Sequence, residues 1–179
     1  MNRIIALDPG HGGSDPGAVA PNGRHEADAA LELALTCKSA LEQAGWKVML
    51  TRQDGGQGTP DLYARMIAAR NAGAAALVSI HYNSVRAGGL VYRSPTAGST
   101  AFALRLASQC GFPTDRVWAT SKSRFGRLYI DDFVTSARPA ILWEVTGIEA
   151  APPAGDAGRA ARLHLAGHLV AAVRATWPG

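Results

Sequence analysis

The sequence predicts an α/β fold in a single domain, and three observations carry that expectation. Short runs rich in isoleucine, leucine and valine recur at residues 3–7, 47–51, 76–80, 90–93 and 140–145, each of a length that suits a buried strand better than a helix. Segments with helical spacing separate most of these runs, an alternation that argues for parallel βαβ units. The chain has 179 residues, 47% of them hydrophobic, enough for one substantial core without disulfides or metal staples.

The first run stops at Asp8-Pro9-Gly10, which reads as a buried strand entering a turn, and a Gly/Pro/Asn loop over 15–24 follows. Ala30, Leu33, Cys37, Ala40 and Leu41 fall at helical spacing. A helix is therefore expected over 26–44, with Glu26 in its first turn and Gly45 ending it. Residues 47–51 form the second strand, after which Thr59 reads as an N-cap and Pro60 as the first position of a helix continuing over 61–72. The third strand, 76–80, ends at His81. A short strand over 90–93, a helix over 100–110, a buried strand over 140–145 and a helix over 155–177 complete the order, with 111–128 irregular and basic.

Composition removes several functions. The formal charge of +4 and isoelectric point near 9.4 come from scattered residues, with one looser group at Arg116, Lys122, Arg124 and Arg127. This favours an anionic polymer as partner. No recognition-helix or stacking pattern accompanies the charge, so nucleic acid is not expected. Cys37 and Cys110 lack a CxxC spacing and read as reduced core thiols. The N-terminal apolar stretch of four residues falls short of the roughly 7 to 15 of a signal peptide. No run approaches the roughly 18 apolar residues of a membrane span. With no repeat, and no linker to a second module, residues 1–179 are expected to be one domain with no export signal or membrane anchor.

Ligands of open α/β sheets gather at the carboxyl ends of the strands. His11, His81 and Glu144 all stand at such ends, and Glu26 opens a helix. Two histidines and one glutamate form an established ligand set for catalytic zinc, which keeps a fourth position for water. His11, Glu26 and His81 would supply it. Glu144, closing an apolar run, should feel desolvation that raises its pKa and suits it to proton transfer. Each residue also has a plainer reading. His11 is compatible with a hydrogen-bonded structural role or a phosphate-binding turn, though the P-loop and GxGxxG patterns are absent. Glu26 suits a helix N-terminus in any case, and Glu144 could be a buried paired acid. His25 is a weak competitor because adjacent helical residues point about 100° apart. His164 and His168 have i, i+4 spacing, but the stripe Leu163, Ala166, Val170, Val173 and Trp177 points away from them and leaves them facing solvent. Asp8 reads as a partner that orients an imidazole from behind.

LDPGHGGSDPGA at 7–18, Glu26, LTR at 50–52, ARNA at 69–72, SIHYNS at 79–84 and PAILWEV at 139–145 together resemble the zinc-dependent N-acetylmuramoyl-L-alanine amidases that cleave bacterial cell walls. The resemblance spans about residues 3–148. It implies a mixed, mostly parallel twisted sheet of about six strands with helices on both faces. It also implies Zn2+ on His11, Glu26 and His81, with Glu144 as the catalytic glutamate. The chain departs from the family pattern in having no asparagine after the glutamate strand and Tyr129-Ile130-Asp131-Asp132 where many relatives have a Leu-Arg pair. These departures leave the zinc ligands intact and bear on recognition of the stem peptide, for whose carboxylates the basic stretch 116–127 is a candidate contact.

The expectation is a monomeric zinc amidase acting on peptidoglycan, made in the cytoplasm and reaching the wall or periplasm as a phage or prophage endolysin through a pore made by another protein. The alternatives are a metal-dependent amidase for soluble muropeptides in recycling, and a non-catalytic wall-binding module of the same fold.

Overall fold

Among the described residues six strands build one sheet: β1 (Ile4–Pro9), β2 (Lys47–Leu50), β3 (Ala76–Asn83), β4 (Leu90–Arg93), β5 (Val117–Ala119) and β6 (Ala140–Gly147). Their order is β2-β1-β3-β6-β4-β5. The structure is a computed structural model and describes residues 3–53, 60–84, 88–134 and 138–178. Strands β2, β1, β3 and β6 are mutually parallel. Strand β4 runs antiparallel to β6, and β5 runs parallel to β4. The reversal has a simple cause. A parallel return needs a crossover of about a dozen residues or more, and the link from β3 to β4 is too short for one.

Helices α1 (Glu26–Gln43), α3 (Ala97–Gln109) and α4 (Arg159–Thr176) cover one face of the sheet, where Leu33, Phe102 and Leu169 meet Ile5, Val78, Ile80 and Trp143. The other face is covered more thinly. Met66 and Ala69 of α2 (Leu62–Asn71), with Ile130 and Phe133 from the 3-10 turn Tyr129–Asp132 and the residue after it, pack on Ala6, Leu77 and Leu142. Side chains alternate along a strand, so Asp8, Ser79, His81 and Glu144 all belong to this thinner face. The expected mostly parallel sheet with helices on both faces is therefore present, and its uneven cover positions the site.

Several boundaries differ from the sequence reading. Thr59 lies outside the described residues, and Asp61 is the N-cap of α2, its side chain accepting from Ala64 N at 2.7 Å. Asp is a strong cap, and Pro60 stays outside the helix. Thr96 caps α3, accepting from Ser99 N at 3.1 Å, which starts that helix at Ala97 rather than residue 100. Strands β3 and β6 continue past residues 80 and 145, so His81 lies within its strand rather than beyond it, and Glu144 lies within β6 as expected. Strand β5 lies in the stretch read as irregular, three residues being too few to show a period. Helix α4 begins at Arg159 after a 3-10 turn, Gly155–Gly158, and is rotated relative to the expected stripe. Leu163 is 51% exposed, whereas Arg162 is buried because its guanidinium donates to Pro153 O at 2.6 Å and pairs with Glu32 at 3.0 Å. No helix among the described residues is long and apolar enough to cross a membrane.

Candidate metal centre

Strand β1 ends in a glycine-rich turn in which His11 adopts φ 59°, the left-handed region that L-residues rarely enter. Two buried arginines hold this turn by its carbonyls. Arg52 donates to Pro9 O at 2.9 Å, Gly10 O at 2.8 Å and Ala27 O at 2.7 Å. Arg65 donates to Pro9 O at 2.9 Å and His11 O at 2.6 Å, and pairs with the wholly buried Asp8 at 3.2 Å. The backbone strain at His11 is thus fixed from beneath by charge-assisted bonds.

Glu26, the first residue of α1, lies between the two imidazoles. His11 Nε2 is 3.2 Å from Oε2, and His81 Nδ1 is 2.9 Å from Oε1. Each carboxylate oxygen also accepts a backbone N–H, Oε2 from Ala18 at 2.9 Å and Oε1 from Tyr82 at 3.0 Å. Ligand atoms of His11, Glu26 and His81 lie within 4.8 Å of one another. The far nitrogens are occupied too, His11 Nδ1 lying 2.8 Å from Asp15 Oδ2 and His81 Nε2 lying 3.2 Å from Tyr129 Oη. Glycines make room for the group. A Cβ on Gly10 would stand 2.4 Å from His81 Cε1, and one on Gly17 would stand 2.6 Å from His11 Cδ2 and 2.7 Å from Glu26 Oε2.

Charge follows geometry. Burial alone would raise the Glu26 carboxyl, but hydrogen bonds to His11 and His81 hold it far below the usual carboxylate range. Burial pulls His11 down, yet Glu26 and Asp15 overcome it and raise the imidazole to about 9. Glu144 is the register partner of His81 across β3 and β6. Its Oε2 is buried with no hydrogen-bond partner among the described residues. Burial pushes its carboxyl above the ordinary value, with the His81 and His11 imidazoles pulling against the shift and Glu26 adding to it. Two neutral-capable imidazoles, a carboxylate held anionic and bonded outer nitrogens fit zinc, whose catalytic sites take two histidines and a glutamate and orient each histidine through its other nitrogen.

All four residues singled out in the sequence meet at this site. Asp8, read as a partner that orients an imidazole from behind, reaches His81 only through a phenol. Its Oδ2 accepts from Tyr129 Oη at 2.7 Å, and Tyr129 makes the contact with His81. Asp15, Arg52, Arg65 and Tyr129 were missed as parts of the site. For Asp15 a signal existed in its position four residues after His11. His25 stands 3.9 Å from Asp28, outside the group. The basic stretch is less free than expected, since Arg116 donates to Gly88 O at 2.6 Å and Gly89 O at 3.1 Å and Arg127 pairs with Asp132. Lys122 and Arg124 are exposed.

The sequence profile of a family described as N-acetylmuramoyl-L-alanine amidase matches residues 5–145. The chain is 37% identical over 122 residues to the N-acetylmuramoyl-L-alanine amidase AmiC of Neisseria meningitidis serogroup B, covering 64% of this chain and 28% of that protein. It is 34% identical over 137 residues to AmiC of Escherichia coli O6:H1, covering 72% of this chain and 31% of that protein. The match thus spans under a third of either relative's length. Among solved structures it is similar to the amidase AmiC2 of Nostoc punctiforme, with a TM-score of 0.74 and 26% identity over 96% of this chain and 94% of that one. It is similar also to the catalytic domain of CwlV from Bacillus (Paenibacillus) polymyxa, with a TM-score of 0.75 and 25% identity over 97% of each.

Proposed function

The chain belongs to the family of N-acetylmuramoyl-L-alanine amidases, and from that membership we propose that it hydrolyses the amide between the lactyl group of N-acetylmuramic acid and the L-alanine of the stem peptide in peptidoglycan. The observation that supports this reading most is the convergence of His11, Glu26 and His81 within 4.8 Å, with the free Oε2 of Glu144 on the neighbouring strand. Zinc held by His11, Glu26 and His81 would supply Lewis-acid activation of the attacking water and of the scissile carbonyl. Glu144, raised by burial, accepts the proton of that water at its free oxygen and delivers it to the departing L-alanine nitrogen. Glu26 stays anionic throughout, and Asp15 and Tyr129 hold the two imidazoles from behind.

The chain acts in this reading as a single catalytic domain over 1–179 and as a monomer, with the cell wall or periplasm as its place of action. The relatives from Neisseria meningitidis and Escherichia coli favour a cellular wall-processing role over the endolysin role expected from the sequence.

Product analysis tests the reaction. Digestion of purified sacculi should create new L-alanine amino termini and no new reducing sugar ends. New reducing ends would assign a glycosidase instead, and cleavage of soluble muropeptides with intact sacculi untouched would favour the recycling enzyme.

A further inference from the structure

We propose that Tyr129 is a positioning residue that fixes which nitrogen of His81 faces the metal, reading the polarity of its hydrogen bond from the buried carboxylate of Asp8. The inference rests on the zinc reading above. Tyr129 Oη lies 3.2 Å from His81 Nε2, 2.7 Å from Asp8 Oδ2 and 2.6 Å from Ser79 Oγ. Ser79 Oγ is itself 2.8 Å from the same Asp8 oxygen. Asp8 is wholly buried, pairs with Arg65 at 3.2 Å and accepts from the Thr51 hydroxyl.

An ionised carboxylate can only accept, so Asp8 sets a direction. The phenol gives its single proton to Asp8 and is left with lone pairs toward His81. The nitrogen opposite, Nε2, must then be the one that carries a proton. Nδ1 lies on the side of Glu26, 2.9 Å from Oε1, and a metal held by both residues would replace the hydrogen bond that Nδ1 donates to that carboxylate. His11 obtains the same support directly from a carboxylate, Asp15, at 2.8 Å. His81 obtains it through a phenol, because Asp8 sits one strand away on β1.

Close packing holds the plane of the ring, and the hydrogen bond chooses between its two flips within that plane. Gly10 lies so close that an added Cβ would be 2.4 Å from Cε1 and 2.6 Å from both ring nitrogens. Tyr129 is held by the 3-10 turn whose Ile130, together with the adjoining Phe133, is fully buried against α2 and the sheet. The relay therefore joins parts of the chain 121 residues apart into one rigid support for a single nitrogen.

The test uses the purified full chain loaded with zinc. Two quantities are read: imidazole 15N shifts, and zinc affinity by competition with a chelating dye. In the wild type the proposal requires His81 with Nδ1 metallated and Nε2 protonated. Tyr129→Phe should lower zinc affinity about 10- to 100-fold and add a second His81 population bound through Nε2, whereas Ser79→Ala, which leaves the phenol on Asp8, should lose far less. A purely structural role for Tyr129 would lower the melting temperature without changing the His81 shifts or the zinc affinity, and that result overturns the proposal. So does Nε2 ligation in the wild type, a measurement that stands even if the Tyr129 variant does not fold. A wild-type chain that binds no zinc overturns the underlying metal reading, and that outcome is recognised without any variant.

Discussion

His81 and Glu144 are register partners on the two adjacent parallel strands β3 and β6. Neighbouring strands lie about 4.8 Å apart, so the sheet itself sets the Glu144 carboxylate beside a candidate metal ligand. No loop has to close for the two to meet. Just beyond the pair the register shifts between His81 and Asn83, which ends the regular ladder at the edge of the site.

From this pairing, Glu144→Gln should lower turnover of labelled sacculi by about 10^2- to 10^4-fold, the usual worth of a positioned acid-base group. Zinc content should not change, because Glu144 is outside the ligand group. A variant that retains wild-type turnover would remove Glu144 from the chemistry.

Zinc affinity should depend on pH through His11. In the metal-free protein its imidazole is raised to about 9, so below that pH zinc displaces a proton. Affinity should therefore climb about tenfold per pH unit below pH ~9 from this residue alone. The raised value has a second consequence of opposite sign. The stability that the His11 contacts give the metal-free fold is full below the unfolded-state pKa of about 6.5 and is lost as pH rises through about 9. Dye competition and thermal melts across pH 6 to 10, values chosen to bracket these roughly, check both. A flat affinity profile would contradict the first.

Gly17→Ala should weaken zinc binding, because its Cβ would press within 2.6 Å of His11 and 2.7 Å of Glu26. Gly23→Ala is the matched control. It too has positive φ but meets nothing within 4 Å, so it should carry only the backbone cost of about 1–2 kcal/mol. Equal zinc affinity in the two variants would show that crowding at Gly17 is unimportant.

The residues legible in the sequence were those whose role follows from local pattern. His11, His81 and Glu144 each interrupt or close an apolar strand, and Glu26 opens a helix with strong periodicity. Tyr129 and Arg65 gave no such signal, since their roles depend on partners 121 and 54–57 residues away. The C-terminal helix shows the same limit in the core. A hydrophobic stripe placed Leu163 inward, but Arg162 took an inward position because carbonyls and Glu32 were there to meet its guanidinium. Periodicity sees apolar burial and is blind to a satisfied buried cation.

Arg65→Met should destabilise the chain by about 3–5 kcal/mol, the usual result of leaving one member of a buried pair behind. Arg65 and Asp8 are 3% and 0% exposed, so solvent offers little relief. Urea unfolding measures the loss, and a change below about 1 kcal/mol, typical of an exposed pair, would show that Thr51, Ser79 and Tyr129 suffice for Asp8.

In the proposed reaction His11, Glu26 and His81 hold the zinc on which wall cleavage depends. The most direct measurement is release of dye from labelled sacculi by the chain as purified, stripped of metal, and restored with zinc, alongside His11→Ala carried through the same steps. Release should be lost on stripping and recovered on restoring zinc, with neither bound zinc nor recovery in the His11 variant. Undiminished release from the stripped wild type, or full recovery in His11→Ala, would contradict it.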